Sequence, residues 1–177
     1  MTAPKGEYRG KPSSPDSVKQ TIVVSGLTVK LDRPKGFVMR GMDRAGKAWE
    51  RTYGYDYGFI PGTQGGDGEG LDVFVGPTPA TDAAYWARQI KDDGSFDEYK
   101  CFLNFRSAKA AERAFKEHIP EKYFSGMFEV PLGAMKALLG LRDLQKVAFR
   151  LALLDQLVRL GAAPHRDKSW RVRGLRG

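Results

Sequence analysis

Between Thr21 and Phe105, seven short runs rich in aliphatic and aromatic residues follow one another, each bounded by turn residues before helical spacing can build up. They are Thr21 to Ser25, Leu27 to Leu31, Gly36 to Arg40, Lys47 to Tyr53, Asp72 to Val75, Ala84 to Ile90 and Tyr99 to Phe105. β-Branched and aromatic side chains suit a pleated, half-buried surface, so runs of this length read as strands. The clearest is the last, where Tyr99, Cys101, Leu103 and Phe105 alternate with Lys100, Phe102 and Asn104. Turn signals lie at Asp43 to Gly46 and Asp92 to Gly94. Helical periodicity comes only afterwards. Ser107 reads as the N-cap of a helix running to about His118, with Ala108, Ala111, Ala114 and Phe115 on one face and Pro120 beyond its end. A second helix fits Leu132 to Leu139, and a third, from about Arg142 to Leu160, carries Leu144, Val147, Ala148, Leu151, Leu154 and Val158 at helical spacing. Many strands followed by helices predict an α+β domain, specifically a small antiparallel, OB-like β-barrel with flanking α-helices.

A chain of 177 residues suits one such domain with appendages. Residues 1–20, with three prolines and no apolar face, read as a flexible N-terminal arm. Residues 21–140 form the expected domain, 141–162 a C-terminal amphipathic helix and 163–177 a basic tail. The net charge of +8 sits at the ends, because residues 21–140 hold sixteen Lys/Arg and sixteen Asp/Glu. The middle can therefore host a local anionic cluster, while Arg171, Arg173 and Arg176 offer at most weak contact with nucleic-acid phosphates. Aromatic side chains such as Trp49, Trp86, Tyr99, Phe102 and Phe105 fall within strands and are expected to fill a core rather than to stack on bases. Cys101 is alone, which excludes an intrachain disulfide and a thiolate zinc site and fits a reducing cytosol. No apolar run reaches the ~20 residues that cross a bilayer, and Lys5, Glu7, Arg9 and Lys11 make the N-terminus polar, so no membrane association is expected. With only His118 and His165 available, oxygen chemistry is favoured over imidazole chemistry.

The carboxylates are concentrated accordingly. Asp67, Glu69 and Asp72 lie within six residues, in a stretch where Gly62, Gly65, Gly66, Gly68 and Gly70 allow the sharp turns that let neighbouring side chains converge. They supply only oxygen ligands, as hard cations such as magnesium require. A second acidic group, Asp92, Asp93, Asp97 and Glu98, precedes the strand that carries Lys100. If the two groups meet, they make a site for more than one metal; taken singly, each also has the composition of a solvated turn. The glycine-rich stretch has no Gly-Lys-Ser/Thr ending for a P-loop, no acidic ladder for an EF-hand, and a spacing too short for a dinucleotide fingerprint.

Over Tyr57 to Val75 the chain resembles the soluble inorganic pyrophosphatases. Asp56-Tyr57-Gly58-Phe59-Ile60 matches the family's N-Y-G-Y-I-like segment, and Asp67-Gly68-Glu69-Gly70-Leu71-Asp72-Val73 matches D-G-D-P-x-D-V. It is more similar still to pyrophosphatase-like domains encoded in bacteriophages and prophages, through Tyr57 to Thr63, Asp72 to Pro77 and Phe96-Asp97-Glu98-Tyr99-Lys100, over about residues 33 to 139. The resemblance implies hydrolysis of pyrophosphate or another phosphorylated small molecule by a water that a divalent ion activates, Mg2+ or else Mn2+. It implies metal binding by Asp67, Asp72, Asp93 and Glu98, with the Asp92-Asp93 and Asp97-Glu98 doublets leaving the register open by one. Glu69 and Asp72 would be catalytic, and Arg40, Arg51, Tyr57 and Lys100 would contact phosphate. Three departures stand out: Glu69 in place of Asp, Gly70 in place of Pro, and no later Tyr-Lys pair, Lys122-Tyr123 being the nearest but reversed. They support an alternative, a phage-associated binding or virion-assembly module on the same scaffold with weak or no catalysis. The expected location is the cytoplasm, the host's if the chain is phage-encoded, with virion association as the alternative, and the expected protein partner is a second copy or a phage protein.

Overall fold

In the computed structural model the described residues are 20–43, 45–63 and 70–139. Nine strands and two α-helices form among them: β1 (Thr21–Val24), β2 (Leu27–Arg33), β3 (Val38–Met42), β4 (Ala48–Thr52), β5 (Asp56–Ile60), β6 (Leu71–Val75), β7 (Ala83–Ile90), β8 (Phe96–Leu103), α1 (Ala108–His118), β9 (Phe124–Pro131) and α2 (Leu132–Leu139). A 3-10 turn, Glu121–Tyr123, links α1 to β9. All seven expected strands and the first two helices are present, with end points moved by up to three residues. Two strands, β5 and β9, were not expected. The arm, the helix from about Arg142 to Leu160 and the basic tail lie outside the described residues.

Seven strands pair in the order β1-β2-β5-β6-β8-β7-β9, and β3-β4 forms a separate hairpin. This corrects the expected closed antiparallel barrel in two respects. The pair β6 and β8 is parallel, because β8 returns from β7 into the space between β6 and β7. The sheet also stays open, with β1 and β9 as unconnected edges. It is nonetheless curled: Val24 of β1 and Val130 of β9 contribute to one apolar cluster, and Met135 of α2 packs into the same cluster. The Lys136 side chain reaches the Gly26 turn between β1 and β2. Helix side chains, rather than backbone hydrogen bonds, thus fill the side between the two edges.

The two faces of the sheet have separate cores. Leu71, Val73, Cys101, Leu103 and Trp86 point into the first cluster, and Tyr57, Phe74, Phe102 and Tyr85 into the second, under Ala111, Ala114 and Phe115 of α1. Ser107 caps α1 as expected, its side chain accepting from the Ala110 amide. β2 and β5 approach so closely that a Cβ on Gly58 would lie 2.0 Å from the Lys30 carbonyl oxygen, which is why the Tyr57-Gly58-Phe59 strand needs glycine at its centre.

Candidate functional site

Strand alternation places Asp72 and Phe74 of β6 on the same face as Lys100 and Phe102 of β8. Tyr57 pairs with Phe74 across β5 and β6 and joins that face. The aromatic layer of Tyr57, Phe74 and Phe102 therefore runs into a polar group at one end of the sheet. At its centre is Lys100, buried, whose Nζ forms ion pairs with Asp72 and, at 3.3 Å, with Glu98, and reaches the Tyr57 hydroxyl at 3.4 Å. The two acidic segments of the sequence thus meet through one ammonium group. Burial alone would lower the Lys100 pKa, but Asp72, Tyr57 and Glu98 outweigh it and hold it well above its ordinary value. Burial and the Asp72 charge push the Tyr57 phenol up, so it keeps its proton and can donate it in a hydrogen bond.

A β-bulge brings both residues of the Asp97-Glu98 doublet against one side chain. Gln89 of β7 pairs with Glu98 while Ile90 pairs with Phe96, leaving Asp97 as the extra residue of β8. Both carboxylates reach the same side-chain amide: Gln89 Nε2 donates to Asp97 Oδ2 and to Glu98 Oε1 at 2.7 Å each. In the other doublet, Asp92 pairs with Lys122 at 2.6 Å, and Asp93 closes the exposed β7–β8 turn by accepting from the Ser95 backbone and hydroxyl at 2.9 and 2.6 Å. Those hydrogen bonds to Ser95 hold the Asp93 carboxyl below its usual range.

The remaining expected residues are dispersed. Arg40 sits on the β3–β4 hairpin, largely exposed and paired with Glu50 at 2.9 Å. Arg51, also on that hairpin, lies over the Trp49 ring at 5.9 Å. Asp67 and Glu69 lie outside the described residues, but the flanks of their segment are tied: Thr63 Oγ1 accepts from the Leu71 amide at 2.7 Å. Gly70 also has a packing reason, since a Cβ there would lie 2.7 Å from the Phe59 ring and 3.3 Å from the Ile60 carbonyl oxygen. Among the described residues, no three His, Cys, Asp or Glu side chains cluster as a metal centre. Lys122 lies over the Tyr123 ring at 4.6 Å, and Tyr123 itself is buried.

One cation of this group, Arg33, belongs to no motif in the sequence. In β2, Arg33 shares the alternation of the buried Val29 and Leu31, which would send it toward the first core. A register shift between Leu31 and Arg33 makes Asp32 an extra residue and pairs Arg33 with Tyr57. Its guanidinium then lies 5.0 Å from the Tyr57 ring centre and 5.4 Å from that of Tyr53, and donates to the Tyr53 hydroxyl at 3.0 Å. Only the unusual placement of an arginine after an apolar alternation hints at it in the sequence.

Behind these rings is His118. Its Nε2 accepts from the Gly54 amide at 2.9 Å, which requires the proton on Nδ1, where it is donated to the Ala114 carbonyl at 2.7 Å. The imidazole also touches the rings of Tyr53, Tyr55 and Phe74. Burial lowers its pKa, and the charge of Arg51 acts in the same direction.

The family model described as Inorganic Pyrophosphatase matches residues 3–140, most of the chain. Among curated proteins, none matches. Among solved structures, an inorganic pyrophosphatase from the pathogenic bacterium Helicobacter pylori is similar at 15% identity, over 73% of this chain and 98% of its own, with a TM-score of 0.43. One from Coxiella burnetii shares 18% identity over 62% of this chain and 88% of its own, with a TM-score of 0.32. An inorganic phosphatase from Anaplasma phagocytophilum shares 17% identity over 73% and 75%, with a TM-score of 0.25. Matched over residues 3–140, the chain belongs to the inorganic pyrophosphatase family and is an inorganic pyrophosphatase-like hydrolase.

Proposed function

We propose that the chain hydrolyses inorganic pyrophosphate, or a related phosphoanhydride, with a divalent ion, Mg2+ first and Mn2+ second, held by Asp67, Asp72, Asp93 and Glu98. The observation that carries this is Lys100: oxygen donors from two strands, Asp72 of β6 and Glu98 of β8, already converge on one cation. Their donor set is all oxygen, which fits a hard ion. When bound, such an ion supplies positive charge to phosphoryl oxygens and makes water a better nucleophile at neutral pH.

The chain's own groups have distinct roles in this proposal. Glu69 accepts the proton of the attacking water, and Asp72 keeps the acidic group anchored to β6. The Lys100 ammonium neutralises Asp72 and Glu98 at rest and faces phosphoryl oxygens when substrate enters. Tyr57, protonated because burial raises its pKa, donates a hydrogen bond to the same oxygens. Arg33, stacked on Tyr57, adds a guanidinium whose planar donors suit phosphate, with Arg40 and Arg51 contributing from the hairpin. Phosphoryl transfer asks mainly for positioning and charge neutralisation, so no nucleophilic side chain is required.

The test is phosphate release from pyrophosphate with magnesium, wild type against Asp72→Ala. Equal rates in the two proteins would reject the proposal. The alternative, a phage-associated binding or virion-assembly module, draws on Glu69, Gly70, the missing Tyr-Lys pair and the added ends, and of these only Gly70 and the reversed Lys122-Tyr123 pair are described. A Cβ at Gly70 would meet the Phe59 ring, which gives that departure a packing reason.

A further inference from the structure

Gln89 is fully buried, yet nothing in the proposed chemistry uses it. Both hydrogens of its Nε2 go to carboxylates, one to Asp97 and one to Glu98 at 2.7 Å each, and Glu98 Oε1 also meets Lys100 Nζ at 3.3 Å. The amide cannot be turned round, because its oxygen would then face two acidic oxygens. In the orientation it must take, Oε1 is buried with no hydrogen-bond partner among the described residues. A methionine would fill the same space with no orphaned polar atom, so packing does not explain a glutamine; an unpaired buried acceptor costs stability. What only the amide provides is two donors on one neutral nitrogen. A lysine or arginine there would add charge to a site that already holds Lys100. The bulge at Asp97 serves the same end, since without it Asp97 and Glu98 would point to opposite faces of β8.

We propose that Gln89 is the positioning residue of this site, fixing Asp97 and Glu98 side by side so that Glu98 meets Lys100 and the acidic group in one orientation. The inference rests on the hydrolase proposal, because it assigns Gln89 to the oxygen set that would hold the divalent ion. It acts through Glu98 and does not touch substrate.

Magnesium binding is measured by calorimetry without substrate, in wild type and in Gln89→Met, alongside melting temperature in chelator. Partners that orient metal ligands typically matter by 10- to 100-fold in affinity, so the dissociation constant should rise by about tenfold or more. A merely structural glutamine would change the melting temperature and leave magnesium affinity alone, and a folded Gln89→Met with wild-type affinity overturns the proposal while sparing the hydrolase reading. A wild type that neither binds magnesium nor releases phosphate overturns both. If Gln89→Met does not fold, the wild-type Gln89 side-chain amide decides by NMR: two slowly exchanging protons, one of them lost from protection in Asp97→Ala, support the clamp, and rapid exchange of both refutes it.

Discussion

Replacing Lys100 by methionine isolates the electrostatic contribution of its ammonium group. The substitution keeps the stem and removes the ammonium, leaving Asp72 and Glu98 to face one another. At the 3.3 Å separation from Glu98, a unit pair in an effective dielectric near 20 has a gross attraction of about 5 kcal/mol. Desolvation of Lys100 offsets part of that, and removing one partner of a buried pair typically costs about 3 to 5 kcal/mol. The Asp72 and Glu98 side chains retain 23% and 14% exposure, so water recovers some of the loss and the lower end, about 3 kcal/mol, applies. For a domain of this size that is a fall of about 10 °C in melting temperature. Thermal unfolding in chelator reads it directly. The companion measurement is a cycle with Glu98→Gln, which removes one of the two carboxylate charges that face the ammonium and should restore about 1 to 2 kcal/mol in the Lys100→Met background. Melting within about 3 °C of wild type, or strict additivity in the cycle, would mean that Lys100 does not hold the two acidic strands together.

Gly58→Ala should cost about 3 kcal/mol or more, because the new methyl would meet the Lys30 carbonyl at 2.0 Å and backbone has little room to yield; denaturant midpoints check it. His118 predicts a pH dependence. Its folded pKa lies below the unfolded value of about 6.5, so the unfolded chain takes up the proton first; stability is full above that pH and declines as pH falls through it. Urea midpoints between pH 5.5 and 7.5 should show this slope in wild type and lose most of it in His118→Gln. Arg33→Met should raise the KM for pyrophosphate about tenfold, the scale of one charge-assisted hydrogen bond, with kcat changed far less; steady-state kinetics would expose the opposite split.

Where side-chain period and length decided the local structure, the fold was legible. Tyr99 to Leu103 alternates in sequence and lies in β8, an inner strand between β6 and β7, and Ser107 marks the start of α1 because its side chain has a specific amide to accept from. The two unexpected strands each break the pattern for an identifiable reason. β5 carries Gly58 at a position where neighbouring backbone leaves no room for a side chain, and β9 contains Ser125 and Gly126, which look like a turn but lie where its pairing with β7 slips by one residue. The grouping around Lys100 was legible in part. Asp72, Glu98, Lys100 and Tyr57 carry their chemistry in motifs that remain adjacent after folding. Arg33, Gln89 and the joint use of Asp97 with Glu98 were not, because bulges in β2 and β8 reverse the parity from which facing is read.

Residue type and order by themselves determined that acidic oxygens and a lysine are available on short strands, and that no thiolate or imidazole set competes with them. Those are properties of composition and near-neighbour spacing, which folding does not alter. Tertiary structure decided which carboxylates share the Lys100 ammonium, which arginine lies on Tyr57, and that the sheet stays open with α2 against it. Such pairings depend on strand register, and one extra residue in a strand turns every following side chain to the other face.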